Sequence, residues 1–335
     1  MSQPLQLQPQ RRTLFEAFGH SFPKNITVEG WKHCDHPLVP KALPHWTWER
    51  ELLFELVAWW VNGQTQPLLV RGPTGCGKSS SIRQFCAALG IPLYAPPITD
   101  ELEFADLVVT TQLTGGNTIP TYAHLPLAMG AEGAPGIFLA DDMDRARPAV
   151  LMAMKGIWEN FGLQVDAYGI QSIAAHPSFR FAGTANTSLR GDPMHLYSTA
   201  KTQDFAVVDC FRVVRAGYLS AEAETDAVAR AVPDLPSELI RMMVSAANAV
   251  RAAFMGVNSA CTALPVTMST RTLLRWATMT VERSGAASDS VTPVLHALQV
   301  AFLNSLDDLA PEVRQATEAL IHGKLPAIEQ PADAA

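Results

Sequence analysis

Eight consecutive residues, Gly72-Pro73-Thr74-Gly75-Cys76-Gly77-Lys78-Ser79, constrain this chain more than any other part of it. They match G-x-x-x-x-G-K-[ST] in full, and they do so in the context that gives the pattern meaning. A short apolar run at residues 67–70 precedes them, and a helix-forming stretch at 79–89 follows. The glycines let backbone N–H groups turn inward around a phosphate, and the dipole of the following helix adds to the attraction. In such a loop the lysine reaches the β- and γ-phosphates and the next hydroxyl ligates magnesium. The expected ligands are ATP and Mg²⁺. Gly72, Pro73, Thr74, Gly75, Cys76, Gly77, Lys78, Ser79 and Ser80 form the expected nucleotide site, with Ser79 also on the metal.

A phosphate loop of this kind needs an acidic partner at the end of a second buried strand. The apolar run at 137–140 ends in Asp141 and Asp142. Asp141 is the expected magnesium residue, and Asp142 the candidate to polarise an attacking water. A third strand-sized run, at 179–182, leads to Asn186. Its amide either orients water near the γ-phosphate or sits in a turn, where asparagine is common.

Around these motifs, strand-sized apolar runs alternate with helical stretches, the pattern of a parallel sheet covered by helices. After about residue 217 the apolar runs give way to helical periodicity. Leu239, Met242, Met243, Ala246, Val250 and Phe254 form one stripe, and Leu273, Leu274, Trp276 and Ala277 begin another behind Ser269 and Thr270 as capping candidates. Thr292 and Pro293 read as the start of a helix running through Leu306. The expected organisation is an irregular arm at 1–40, an αβα nucleotide-binding domain at 41–217, an all-α lid at 218–325 and a disordered tail at 326–335. His33, Cys34 and His36 crowd together in the arm, but no second ligand pair follows at zinc-finger spacing. With 48% hydrophobic and 17% charged residues the chain is not a disordered one. Its net charge of −7 argues against a broad grip on nucleic acid. No apolar run is long enough for a membrane span, and no apolar leader opens the sequence. Five scattered cysteines fit a reduced, cytoplasmic protein.

The order of parts resembles an AAA+ ATPase, and the finer match is to the MoxR-like branch, with its CobS-type cobaltochelatase ATPases and CbbQ/NirQ/NorQ activators. Asp141-Asp142-Met143-Asp144-Arg145-Ala146 resembles that branch's D-E-h-D-[KR]-A. Ala185-Asn186-Thr187, Gly191-Asp192 and Leu196-Tyr197 are similar to its A-N-T…G-D…G-x-Y stretch, and Ser269-Thr270-Arg271 to its sensor-2 element. The resemblance places a β-hairpin within 163–179. It implies a P-loop fold with a helical lid, Lys78, Ser79 and Asp141 on nucleotide and magnesium, Asn186 as sensor 1 and Arg271 as sensor 2. It also implies a homo-oligomeric ring, expected to be a hexamer, that remodels or activates a protein. That protein would be a von Willebrand factor A-type partner or a metalloenzyme client, with a role in metal insertion among the options.

Two departures from the family pattern bear on hydrolysis. Asp142 stands where a glutamate is usual, one methylene shorter. Ala206-Val207-Val208-Asp209-Cys210-Phe211 stands where the family reads A-x-x-D-R-F, so the usual trans-acting arginine is replaced by a thiol. Arg212 and Arg215 lie close by in sequence. The expectation is ATP binding with slow turnover; an assembly module gated by ATP with little or no hydrolysis is the alternative.

Overall fold

The structure, a computed structural model, describes residues 7–19, 22–63, 66–132, 134–160, 162–164, 172–192, 196–256, 264–284 and 292–325. The expected tail lies outside these residues, as does Cys261. The chain divides into two compact units. One comprises Met1–Leu43, Trp48–Pro73 and Gly77–Gly217, the other Pro44–Thr47, Thr74–Cys76 and Tyr218–Ala335.

The first unit opens on two short strands, β1 (Pro9–Thr13) and β2 (Thr27–Trp31), paired antiparallel with helix α1 (Leu14–Phe18) between them. This corrects the reading of residues 1–40 as an irregular arm. Thr13 and Glu16 form a reciprocal capping box at the start of α1. The pair packs on the body of the unit: the Phe18 ring stacks on Phe85 at 5.6 Å, and Arg12 donates to the carbonyls of Ala88 and Trp31. Gly30 permits that approach, since a Cβ there would lie 2.4 Å from the carbonyl oxygen of Leu89.

Helix α2 (Arg50–Asn62) follows, then β3 (Leu68–Arg71), α3 (Lys78–Leu89), β4 (Leu93–Tyr94) and α4 (Phe104–Val108). A hairpin, β5 (Val109–Thr114) with β6 (Asn117–Tyr122), turns through Gly115 and Gly116, whose φ values of 60° and 82° favour glycine. After α5 (His124–Met129) come β7 (Ile137–Ala140), α6 (Pro148–Asn160) and the antiparallel pair β8 (Gly162–Leu163) and β9 (Ile173–Ala174). That pair lies where a hairpin was expected, with 165–171 outside the described residues. Strand β10 (Arg180–Ala185), helix α7 (Phe205–Val208) and β11 (Arg212–Arg215) complete the unit.

Five strands form one parallel sheet in the order β11-β3-β10-β7-β4. Ile137, Phe138, Leu139 and Ala140 of β7 are all fully buried, as expected of a parallel strand covered on both faces. β3 and β10 run in register to Arg71 and Ala185, while Ala140 of β7 pairs with Gly183. The residues that follow those three strand ends are Gly72, Asn186 and Asp141, so sheet pairing gathers the three motifs at one edge. This is the carboxyl edge where ligands of open α/β sheets bind.

The second unit contains α8 (Ala221–Ala231), α9 (Ser237–Phe254), α10 (Thr270–Ser284), α11 (Pro293–Ala301) and α12 (Pro311–His322). Its core draws on the stripes seen in the sequence, with Met243, Val250, Leu273 and Trp276 at 0% exposure. Thr292 caps α11 by accepting from Leu295 N, with Pro293 in the first turn. That helix ends at Ala301, and Leu303–Leu306 form a separate 3₁₀ turn, which corrects the expectation of one helix through Leu306. A charge pair is buried here. Arg251 donates to both carboxylate oxygens of Glu224 (2.5 and 2.9 Å) and to the carbonyl of Met268, and Thr270 Oγ1 donates to Glu224 (2.7 Å). No described helix is long and apolar enough to cross a membrane.

Arg180 fastens the start of β10. Its guanidinium is buried and donates to the carbonyls of Trp60, Pro177 and Phe179 at 2.7–3.1 Å. Burial pulls its pKa down to about 10, which still leaves it charged at neutral pH. Arg180→Met keeps the apolar stem and strands three carbonyls. Unsatisfied buried groups cost about 1–3 kcal/mol, so a loss of about 3 kcal/mol in denaturant unfolding at constant m-value is expected, with a correspondingly lower midpoint.

Candidate functional site

The loop between β3 and α3 takes its shape from two glycines. Gly75 and Gly77 adopt φ of 68° and 96°, values that L side chains rarely reach. Gly77 is the N-cap of α3, and among the described residues no side chain caps that end. The first-turn N–H groups of α3 thus stand open to an anion. Gly72 N donates to the carbonyl of Ala185 (3.2 Å), tying the start of the loop to β10.

Lys78, at 5% exposure, donates to the carbonyls of Gly72 and Pro73 (3.0 Å each) and to Asn186 Oδ1 (2.7 Å). The Asn186 amide then donates from Nδ2 to Asp142 Oδ1 (3.3 Å). The structure thus brings Lys78, Asn186 and Asp142 into one hydrogen-bonded row. Ser79 Oγ donates to Asp141 Oδ1, which also accepts from Thr184 Oγ1 (2.7 Å). Arg83 lies 3.8 Å from the other oxygen of Asp141. A hydroxyl and a carboxylate converging beside open helix N–H groups are the hard oxygen donors that magnesium prefers, so Ser79 and Asp141 fit the ion. Held there, the ion would supply positive charge to offset that of a bound phosphate.

Two positioning residues are added by the structure. Thr184, fully buried on β10, donates to Asp141 and accepts from Asp142 N (2.9 Å), so one hydroxyl sets both acids. Asp144, at 1% exposure, accepts through one oxygen from Asn186 N (2.9 Å), Thr187 N (3.1 Å) and Thr187 Oγ1 (3.2 Å). It fixes the turn that presents the Asn186 amide. The D-E-h-D-[KR]-A resemblance contained Asp144 but assigned it no task; Thr184 carried no sequence signal. Gly183 makes room for this arrangement, since a Cβ there would lie 2.1 Å from Met143 Sδ.

Asp142 has a left-handed backbone (φ 52°, ψ 47°), and Arg145 stands 3.4 Å from its carboxylate. Burial raises its pKa above the ordinary aspartate value, Arg145 and Lys78 oppose this, and Asp141 and Asp144 add to it. Cys210 follows α7 with its thiol donating to the carbonyl of Ala206 (3.2 Å), and burial raises its pKa as well. It is an inward-packed, protonated thiol. Arg212 is held by Glu55 of α2 (Nε to Oε2, 3.0 Å). Arg215 is exposed and stands in register with Arg71, the residue before the phosphate loop. Arg271 is exposed in the first turn of α10, in the second unit, behind Ser269, whose hydroxyl accepts from Thr272 N (3.1 Å). His36 Nδ1 accepts from Leu38 N, and among the described residues no group of three His, Cys, Asp or Glu is arranged for a metal.

Comparison with known proteins bears on the family and the fold. Residues 67–199 match the AAA domain of the dynein-related subfamily, and residues 224–323 match the C-terminal family of CbbQ, NirQ and NorQ. The chain belongs to the MoxR-like AAA+ ATPases. Among relatives of this AAA+ protein, the aerobic cobaltochelatase subunit CobS of a Sinorhizobium species is 29% identical over 81% of this chain and 79% of its own length. NorQ of Paracoccus denitrificans is 36% identical over 36% of this chain and 43% of its own. CbbQ of Hydrogenophilus thermoluteolus is 27% identical over 49% and 57%. The structure of a RuvB variant from Thermotoga maritima superposes with a TM-score of 0.50 at 13% identity, covering 88% of this chain and 90% of that one, a likeness of fold.

The raised pKa of Asp142 has a measurable sign. A carboxyl whose folded pKa lies above its unfolded value contributes stability that is full below the unfolded pKa and lost as pH rises through the folded one. The Asp142→Asn variant carries a neutral amide in place of the titrating acid. It should match wild type best below about pH 3 and become the more stable of the two by about pH 7. Denaturant unfolding of both proteins at the two pH values checks this.

Proposed function

We propose that this AAA+ protein binds ATP with Mg²⁺, hydrolyses it slowly at sites shared between subunits, and uses the cycle to remodel or activate a protein partner. The single observation that carries the reading is the row Lys78–Asn186–Asp142 beside Ser79–Asp141. A phosphate-binding cation, a polar amide, a carboxylate and a magnesium pair stand at one sheet edge. Lys78 neutralises the β- and γ-phosphates, and Asn186 and Asp142 orient the attacking water. Arg271 is the cation of the helical unit that reads the γ-phosphate. Gly72–Gly77 and Ser80 complete the nucleotide site.

Assembly as a homo-oligomeric ring, a hexamer by family likeness, follows from sites that are shared. The CobS relative is named as a cobaltochelatase subunit and another relative, NirQ, as a denitrification regulatory protein. A metalloenzyme client, or a von Willebrand factor A-type protein that reaches one, is the partner class this supports, in the cytoplasm. Nucleic acid is disfavoured by the charge of −7.

A second reading, an assembly module gated by ATP binding with little turnover, is favoured by two observations. Asp142 carries the shorter acid, and Cys210 points inward with no cation to offer a neighbour. Steady-state ATPase assays with and without a candidate partner separate the readings.

ATP at about a hundred times its Kd stabilises the protein that binds it by about 2.7 kcal/mol. Wild type should therefore show a rise in Tm with Mg-ATP, and Lys78→Ala, measured against its own Tm without nucleotide, should show none. An equal rise in the variant would refute the phosphate-site assignment. Sedimentation should show ATP-dependent assembly of wild type, because a ligand bridging subunits favours the assembled state by mass action. A monomer at saturating ATP and micromolar protein would count against the ring.

A further inference from the structure

Cys210 is turned inward and has no cation to offer another subunit, and Arg212 is engaged by Glu55. One exposed side chain on the segment that carries Cys210 is Phe205, the first residue of α7, which is 61% exposed. One cation lies on it: the Arg190 guanidinium sits 4.5 Å from the Phe205 ring centroid.

Arg190 reaches that ring from a loop built to hold it. Its neighbours Leu189 and Gly191 both adopt positive φ, 62° and 88°. Left-handed backbone is unfavourable for leucine and persists only where the surroundings enforce it, a condition that clusters at functional positions. The enforcement is visible. Leu189 is fully buried, its N–H donates to Thr187 Oγ1 (3.2 Å), and its carbonyl accepts from Gln203 N (2.8 Å). Arg190 itself is exposed, and among the described residues it forms no ion pair with a carboxylate. Packing thus anchors the residue that precedes a cation stacked on an exposed ring. An aromatic face restrains a guanidinium while leaving its N–H groups free to bind a second anion.

We propose that Arg190, seated on Phe205, is the trans-acting catalytic arginine of this protein, and that it contacts the γ-phosphate of ATP bound to an adjacent copy of the chain. The proposal rests on the reading of a nucleotide site shared between subunits. In the step it serves, water oxygen bonds to the γ-phosphorus and the bond to the β–γ bridging oxygen breaks. ADP and inorganic phosphate leave, and the water's proton passes by way of Asp142 to solvent. Arg190 offsets the negative charge that grows on the phosphoryl oxygens and is itself unchanged.

The test is a set of ATP turnover assays on the full chain, with ATP binding followed separately by thermal shift. Trans-acting arginines are worth about 10³- to 10⁵-fold in rate. Arg190→Ala should lower kcat about 10²-fold or more while its ATP-induced Tm shift matches wild type. Arg190→Lys, which keeps the charge but loses the planar fork, should fall between. Phe205→Leu should lower kcat and leave the Tm shift intact. Arg190→Ala subunits mixed with Lys78→Ala subunits should then recover activity, because each variant supplies what the other lacks. Equal random mixing restores about a quarter of wild-type turnover, since half the subunits bind ATP and half of those face an intact arginine.

Three results would overturn the proposal while ATP binding stands: unchanged turnover in Arg190→Ala, a loss that mixing with Lys78→Ala does not rescue, or no measurable turnover by wild type. Failure of wild type to bind ATP in the thermal-shift arm would fall on the nucleotide reading and take Arg190 with it.

Discussion

Lys78 is an ammonium at 5% exposure whose hydrogen bonds go to three neutral oxygens, two from the loop backbone and one from Asn186. Burying a cation is costly unless its hydrogens are satisfied, and here that requires three strand ends to be in place together. β3 must deliver Gly72 and Pro73, β10 must deliver Asn186, and β7 must deliver the acids that the Asn186 amide and Thr184 engage. The parallel register of β3, β10 and β7 is thus a condition for the site. Conversely, the site's polar row stabilises that register. A phosphate binding here exchanges neutral oxygens for charged ones, which is the gain in attraction that a buried lysine is suited to supply.

Much of this was legible in the sequence because motif and strand coincide. Ile137–Ala140 reads as a buried strand because all four residues are apolar, and Asp141 then marks its end. The phosphate loop needs no tertiary information, since glycines, lysine and helix start are contiguous. Other elements were hidden for physical reasons. Strand β1 is PQRRT, polar and largely exposed, with nothing apolar to announce it; its order comes from pairing with β2 and from Arg12 reaching the end of α3. Strand β4 is two residues long, below any periodicity. Thr184 and Asp144 were obscure because their roles are relations between strands, and a threonine in an apolar run or an aspartate in a turn has many uses.

The two acids of the β7 end differ because their surroundings differ. Asp141 accepts from two hydroxyls and has Arg83 nearby. Asp142 sits on a left-handed turn, accepts from the Asn186 amide and has Arg145 at 3.4 Å, and burial still raises its pKa. Environment thus distinguishes two adjacent and chemically identical side chains, which is what the proposed division into a metal-side acid and a water-side acid requires.

The Glu224–Arg251 pair in the helical unit has a consequence for how that unit opens. Arg251 grips the carbonyl of Met268, and Glu224 accepts from the Thr270 hydroxyl, so both residues flanking Ser269 are tied to a charge pair at 0% and 4% exposure. Neither charge can be left behind in the apolar interior if the other departs. The first turn of α10 therefore cannot fray alone, as helix ends usually do. It opens only with α8 and α9, as one cooperative unit, and its amide hydrogens should exchange with solvent as slowly as those of the helices that the pair joins.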